Sequence, residues 1–384
     1  MNDNNAEIGA ISGKLAGIYR KYGYLPYKMS RFEEYELYMR NKEFLISDQV
    51  ITFTDTNGKL MALKPDVTLS VIRNIDPEPG QVAKVYYSEN VYRVSGRSGV
   101  FSELMQTGLE AIGEVDGVLI CEVLHLAAES LKAVSDSWVL DVTGPDILNR
   151  ALDGITADEG IRGELLECVG RKNPHGLKEI AREKAPQAET EKIEALCGLA
   201  GLYGTPDKVL KEAEALCRTL GAETEFKAFS DVLRGLGEEV ANGLRVDFSA
   251  VSDMNYYNGI VFRGFVEGVP ERVLSGGQYD RLMRKLARRS RALGFAVYLD
   301  ALERRPGAGQ AAEKPDIDAV ICYGPEEPAE GVWKAEKELA ERCAGTVRAV
   351  PEKQLSGAGF TYERLFSLRN GALFELKCGE AQQK

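Results

Sequence analysis

The chain has 384 residues, 44% of them hydrophobic and 28% charged, an ordinary globular balance with room for two or three folding units. Lys and Arg number 48 against 59 Asp and Glu, a formal charge of −11, which argues against a surface given over to gripping nucleic acid but leaves room for a local basic patch. Scattered cysteines without a CxxC pair, only two histidines, no basic-then-apolar leader and no long apolar run exclude most zinc, histidine-triad, disulfide-framework, signal-peptide and membrane-span readings, and predict a soluble cytoplasmic protein.

In chain order, Ile8, Ile11, Leu15 and Ile18 form one stripe and predict a helix over 7–22. Pro26 lies in an extended stretch, and a polar, mixed segment runs from Arg31 to Asn41. Ile51 to Thr54 alternates like a strand, a turn follows at Asp55-Thr56-Asn57-Gly58, and Pro65 suits the first turn of a helix reaching about Asn74. Residues 82–94 and 101–112 read as an antiparallel strand pair around 95–99, and 116–134 as a helix in which His125 is a packed residue. Between about 145 and 240 the composition turns to helical segments, broken at Asn173-Pro174 and Thr205-Pro206, so that His175 falls in a turn. Strand character returns at 244–248 and 259–265, a linker composition at 304–309, and then strand, helix and strand at 317–323, 329–342 and 346–350. The grouping predicts an α+β protein: an antiparallel sheet domain over 1–310 with a helical insertion at about 145–240, then a short α/β domain over 315–384.

Four segments place polar residues inside strand or turn patterns: Leu63-Lys64-Pro65-Asp66-Val67-Thr68, Tyr92-Arg93 with Gln106 and Glu110, Met254-Asn255-Tyr256-Tyr257-Asn258-Gly259, and Leu274-Ser275-Gly276-Gly277-Gln278-Tyr279-Asp280. Taken singly each has a plain structural explanation. Asp66 and Thr68 can cap a helix, the tyrosines can edge a strand, and paired glycines can make a tight turn. Gln106 and Glu110 are four apart, so they share one face of a strand, which taken alone is a solvated outer face.

Their order and spacing carry more. Together with Gly294-Phe295-Ala296, these segments resemble the catalytic core of histidyl-tRNA synthetase, a class II synthetase, from about residue 5 to about residue 305. The resemblance implies a class II antiparallel sheet flanked by helices. It also implies a histidine pocket made by Asp66, Thr68, Arg93, Gln106, Glu110, Tyr256 and Tyr257, with Gly276 and Gly277 as pocket backbone. The chemistry is coherent: carboxylates suit an α-ammonium, a guanidinium suits an α-carboxylate, and tyrosine hydroxyls or a carboxylate can address imidazole nitrogens.

The adenylate-forming cations of that family are replaced. Positions that carry arginine in the synthetases are Ser102, Ser252 and Ala301, and the glutamate expected two residues after Arg93 is Ser95; Arg97 remains as a partial substitute. A planar cation is not conservatively replaced by serine or alanine. A kept histidine pocket without ATP machinery resembles a paralogous family, the regulatory subunits of ATP phosphoribosyltransferase, which write Asp and a hydrophobic residue where Asp66-Val67 stand. That resemblance implies no catalytic residues, no metal and no cofactor, with L-histidine as a regulatory ligand. Its partner would be a short catalytic ATP phosphoribosyltransferase subunit acting in the first step of histidine biosynthesis, and the core would form a homodimer within a hetero-oligomer. The tail beyond 315 is short for an anticodon-binding domain, so tRNA binding is not expected.

Two alternatives stay open: a divergent, active histidyl-tRNA synthetase, and a histidine-sensing scaffold with another partner. A basic run, Arg281, Arg284, Lys285, Arg288, Arg289 and Arg291, is a solvated face in the plain reading. In the sharper one it contacts an acidic partner or a phosphate, with 281, 284, 285 and 288 on one helical face.

Overall fold

The computed structural model describes residues 3–42, 50–94, 100–251, 257–302, 317–343, 345–357 and 362–376. Ser95, Arg97, Ser252, Tyr256 and the 304–309 linker lie outside the described residues. The chain divides into two compact units, Met1–Ala308 and Gly309–Lys384.

The first unit is built on a nine-stranded sheet. From one edge its order is Leu25–Pro26, Val82–Val94, Phe101–Gly113, Arg291–Tyr298, Leu274–Gln278, Asn258–Val266, Trp138–Thr143, Leu244–Asp247 and Tyr203–Gly204. Pairing is antiparallel through the middle and parallel only where Leu25–Pro26 meets Val82–Val94 and Trp138–Thr143 meets Leu244–Asp247. The period-two alternation divides the central strands between two environments. Leu109, Ala111, Phe262, Phe295 and Val297 join one large core with Leu124, Ala127 and Leu131 of the Gly117–Val134 helix. Gln106 and Glu110, one residue out of phase with Leu109 and Ala111, point to the other side. That helix starts where it does because Asp116 accepts the Leu119 N–H at 2.8 Å, a cap typically worth about 1 kcal/mol.

Six helices of nine residues or more run from Pro145–Asp153 to Glu223–Gly235. Three of them begin with proline in the first turn, where the missing N–H costs nothing. One of these corrects a sequence expectation: His175 is not in a turn but in the first turn of Pro174–Lys184, which Asn173 caps through the Gly176 N–H at 3.0 Å. Asn-Pro reads as a break, yet it is also a helix start. The packed residue His125 is half-buried, hydrogen-bonded through Nε2 to the Tyr22 hydroxyl at 2.9 Å.

A small three-stranded sheet, Phe32–Glu34, Leu60–Leu63 and Thr52–Thr54, delivers the chain to the pocket. The helix after it opens at Thr68, not at Pro65, and runs to Asn74. Asp66 stands before that opening and accepts the Leu69 N–H at 2.9 Å, so the carboxylate caps the helix. The basic run also departs from expectation. Its helix spans only Asp280–Lys285, Ala287 turns at φ 56°, and Arg288 leaves the shared face to ion-pair with Asp76 and donate to the Arg73 carbonyl at 2.9 Å.

The second unit is a four-stranded sheet in the order Val347–Pro351, Ile317–Tyr323, Tyr362–Arg369, Ala372–Leu376, with the helix Ala329–Cys343. Ala319, Ile321, Phe366 and Leu368 pack with Val332 and Leu339 of that helix. The last two strands are not among the elements expected from the sequence, whose short runs there (Tyr362–Arg369 and Ala372–Leu376) show no clean alternation. No described helix is long and apolar enough to cross a membrane.

Candidate functional site

Glu110 sits at the centre of the sheet face that the large core leaves uncovered. Its neighbours across the ladder are Val85 on one side and Gly294 on the other, and beyond Gly294 comes Gly277. Two adjacent positions therefore carry no side chain, and the reason is steric. A Cβ at Gly294 would lie 1.8 Å from Glu110 Oε2, and one at Gly277 would lie 2.7 Å from Cδ1 of Tyr257. Gly108 does the same beside Tyr87, whose hydroxyl would be 2.6 Å from an added Cβ. The glycines let a carboxylate and two tyrosine rings lie close over the backbone. Gly276 differs from its neighbour: its Cβ would meet Phe295 and Phe262 on the core face, so of the pair expected as pocket backbone only Gly277 belongs to the pocket side.

Glu110 is 1% exposed. Thr68 Oγ1 donates to Oε1 at 2.8 Å and the Tyr279 hydroxyl donates to Oε2 at 2.5 Å. Burial pushes its carboxyl up to about 8; the two hydrogen bonds oppose that shift, and the nearby Asp66 charge adds to it. Asp66 is buried as well, and burial raises its carboxyl despite the Arg93 guanidinium and the Thr68 and Leu69 N–H groups, which favour the charged form. Arg93 Nη2 lies 3.6 Å from Asp66 Oδ2, and its Nε donates to the Pro65 carbonyl at 2.6 Å. Gln106, opposite Tyr298 on one side and Glu89 on the other, is 2% exposed, and its Nε2 is buried with no hydrogen-bond partner.

Asp66, Thr68, Arg93, Gln106, Glu110 and Tyr257 are thus brought to one side of the sheet, while Tyr256 lies outside the described residues. The result is a buried site with two carboxyls, one guanidinium, an unmet amide donor and a half-buried tyrosine. Such a set suits a zwitterion: a carboxylate for an ammonium, a guanidinium for a carboxylate, and two polar groups left for a side chain.

Reading the sequence missed two contributors and one neighbouring ion pair that is not part of the pocket. Tyr87 is six residues from Arg93 on the same strand and therefore on the same face; it is buried, and burial raises its hydroxyl well above the ordinary value. Tyr279 stands in the sequence only as part of a turn motif, yet it reaches Glu110. The ion pair Lys64–Glu89, at 2.6 Å, lies just beside the pocket. Even spacing along the strand was a usable signal for Tyr87 and Glu89; nothing local marks Tyr279.

Next to the pocket lies a cavity of about 480 Å³, lined among others by Arg93, Leu104, Arg263, Tyr298 and Ala301. Ala301 brings a methyl group there, at the position for which the family resemblance calls for arginine. Among the described residues no cluster of three His, Cys, Asp or Glu side chains could hold a metal ion.

The nine-stranded sheet with its polar, glycine-floored face defines a class II aminoacyl-tRNA synthetase-like protein. More closely, the chain belongs to the histidyl-tRNA synthetase family, whose family model matches residues 2–302. The ATP phosphoribosyltransferase regulatory subunit of Ruminiclostridium cellulolyticum is 27% identical over 327 residues, covering 82% of this chain and 76% of that protein. A structure described as an ATP phosphoribosyltransferase regulatory subunit/histidyl-tRNA synthetase from Bacillus halodurans superposes with a TM-score of 0.78 at 23% identity, over 96% of each chain. A chain of the ATP phosphoribosyl transferase (HisG:HisZ) complex from Thermotoga maritima shares the fold at a TM-score of 0.53 and 16% identity, over 75% of this chain and 96% of that one. Both resemblances drawn from the motifs, to synthetase and to regulatory subunit, are met among these relatives.

Proposed function

We propose that this chain is a non-catalytic regulatory subunit of ATP phosphoribosyltransferase, that it binds L-histidine in the pocket around Glu110, and that this binding governs the activity of a short catalytic partner. The single observation that carries the ligand is the buried grouping of Asp66, Arg93 and Glu110 beside the unmet Gln106 donor. The partner is supported by relatives named as ATP phosphoribosyltransferase regulatory subunits, at 27% and 26% identity over 82% of the chain.

The mechanism is a coupling free energy between the histidine site and the partner's active site, typically about 1–3 kcal/mol in such systems. Histidine shifts the assembly only so far as it binds one state better than another. The chain itself forms no covalent bond and needs no cofactor in this reading. It would act in the cytoplasm as a homodimer within a hetero-oligomer.

Mixing the purified chain with its short catalytic partner and following phosphoribosyl transfer with and without histidine tests the proposal. Stable association, activation on mixing and inhibition by added histidine are the expected results; no association, or activity indifferent to mixing, overturns it. A second reading, an active histidyl-tRNA synthetase, is favoured by the family match over 2–302 and by Arg93 and Arg263 in the neighbouring cavity. Histidine-dependent ATP–pyrophosphate exchange separates the two, and we expect none.

A further inference from the structure

Lys64 is 0% exposed, and its ammonium donates to Glu89 Oε2 at 2.6 Å. The other carboxylate oxygen accepts from the Met29 N–H at 3.5 Å. The obvious duty of such a pair would be to clamp the segment carrying Asp66 and Thr68 onto the neighbouring strand. The backbone already does this: the Tyr92 N–H donates to the Lys64 carbonyl at 2.9 Å, and Arg93 Nε donates to the Pro65 carbonyl at 2.6 Å. A buried ion pair is also a poor clamp, because desolvating two charges offsets most of their attraction.

The register of the sheet points to a different duty. Glu89 stands directly opposite Gln106 in the antiparallel ladder, at a separation where cross-strand side chains ordinarily touch. A carboxylate there is the natural acceptor for the Gln106 amide. Gln106 Nε2 is nonetheless buried without a hydrogen-bond partner, a costly condition that native structures keep only for a reason. Glu89 instead engages the Lys64 ammonium through Oε2, with the Met29 N–H at Oε1.

We propose that Lys64 is a positioning residue for the amino-acid pocket: by holding Glu89 it keeps the carboxylate away from Gln106 and reserves the Gln106 amide for an acceptor atom of the bound amino acid. The inference rests on the reading of this pocket as the histidine site and deepens it. Lys64 itself does not touch the ligand. Its charge is needed because Glu89 is a charged acceptor, and a neutral side chain at 64 would release that acceptor to the nearest donor.

Two charge-neutral double variants test this without stranding a buried charge. Lys64→Met/Glu89→Leu removes the ammonium and the acceptor together, so Gln106 stays available and histidine affinity should remain within about threefold of the parent. Lys64→Met/Glu89→Gln removes the charges but keeps an acceptor oxygen beside Gln106, and affinity should fall at least tenfold. A merely structural role for the pair predicts equal affinities for the two variants, and that result overturns the proposal. A crystal structure of the second variant gives a readout independent of histidine: the side chain at 89 should accept from Gln106 Nε2, and an amide still unbonded there refutes the inference. Calorimetric titration of the parent with histidine comes first. A parent that binds no histidine refutes the pocket reading, whereas a parent that binds while both variants match it refutes only the role of Lys64.

Discussion

The Tyr279 hydroxyl donates to Glu110 Oε2 at 2.5 Å, although the two residues stand 169 positions apart in the chain. Tyr279 is 1% exposed, directly precedes the short Asp280–Lys285 helix and packs with Leu69, Ile72 and Leu282, so the ring has little freedom to leave. The carboxyl at the centre of the pocket is therefore held by a residue from a different part of the fold.

Tyr279→Phe removes that donor while keeping the ring. Near neutral pH the buried Glu110 carboxyl, pushed up to about 8, is mostly protonated, and a hydrogen bond between neutral buried groups is worth about 0.5–1.5 kcal/mol. We expect a loss of stability of that order in denaturant unfolding, together with weaker histidine binding. Unchanged affinity would separate the hydrogen bond from ligand recognition.

Glu110 makes the pocket sensitive to pH. Its carboxyl titrates at about 8 in the folded chain because burial disfavours the charge, against 4.5 for the free group. The folded state thus holds this proton more tightly than the unfolded chain. The associated stability is complete below the unfolded value and is lost as pH rises through the folded one. Glu110→Gln removes this titration, so the stability of the variant relative to the parent should increase between about pH 5 and pH 8. Histidine binding to the parent should strengthen over pH 6 to 8 as the carboxylate forms to meet a cationic group; in the variant it should be weak and flat across that range. Parallel unfolding and titration series at several pH values check both.

Gly294→Ala places a methyl group where Glu110 Oε2 now lies, 1.8 Å from it, with the Leu109 carbonyl at 2.4 Å. Neither neighbour is the far end of a flexible surface chain. Overpacking of this kind typically costs about 1–3 kcal/mol, and Glu110 would have to leave its position. The expected outcome is a folded but less stable protein without measurable histidine binding in calorimetry.

Tyr257→Ala tests the tyrosine wall. The ring is half-buried, lies over Gly277 and packs against the edge of the core around Tyr87 and Tyr279, so its loss opens the pocket at a modest cost in packing. Histidine affinity should fall about tenfold, or about 1.4 kcal/mol, with the protein still folded and only a modest fall in melting temperature. Equal affinity in Tyr257→Ala and the parent would remove this residue from the site.

The basic run shows how a local pattern fails. Spacing alone puts Arg281, Arg284, Lys285 and Arg288 on one helical face, but the helix stops at Lys285 because Ala287 adopts a left-handed backbone and Arg288 is drawn to Asp76 instead. Asp76 is 212 residues away, and no local rule reaches that far. His175 fails for the opposite reason, since Asn-Pro is a signal both for ending one element and for beginning another.

The sequence by itself determined the class of the fold, the side of the Phe101–Gly113 strand on which Gln106 and Glu110 share a face, and the membership of Asp66, Thr68, Arg93 and Tyr257 in one site. The shared face follows from period-two alternation; the grouping of the other residues is what the resemblance to histidyl-tRNA synthetase implies, carried by the order of the motifs along the chain. Tertiary structure decided what those residues are. Only the register of Phe101–Gly113 against Arg291–Tyr298 sets Glu110 beside Gly294, and only the stacked layers around it strip away water and raise its carboxyl to about 8. Only pairing with Val82–Val94 sets Gln106 opposite Glu89, whose carboxylate ion-pairs with Lys64. Spacing along a chain says which way a side chain points; desolvation and cross-strand contact depend on segments brought together from far apart, and these turn scattered polar positions into one buried cluster.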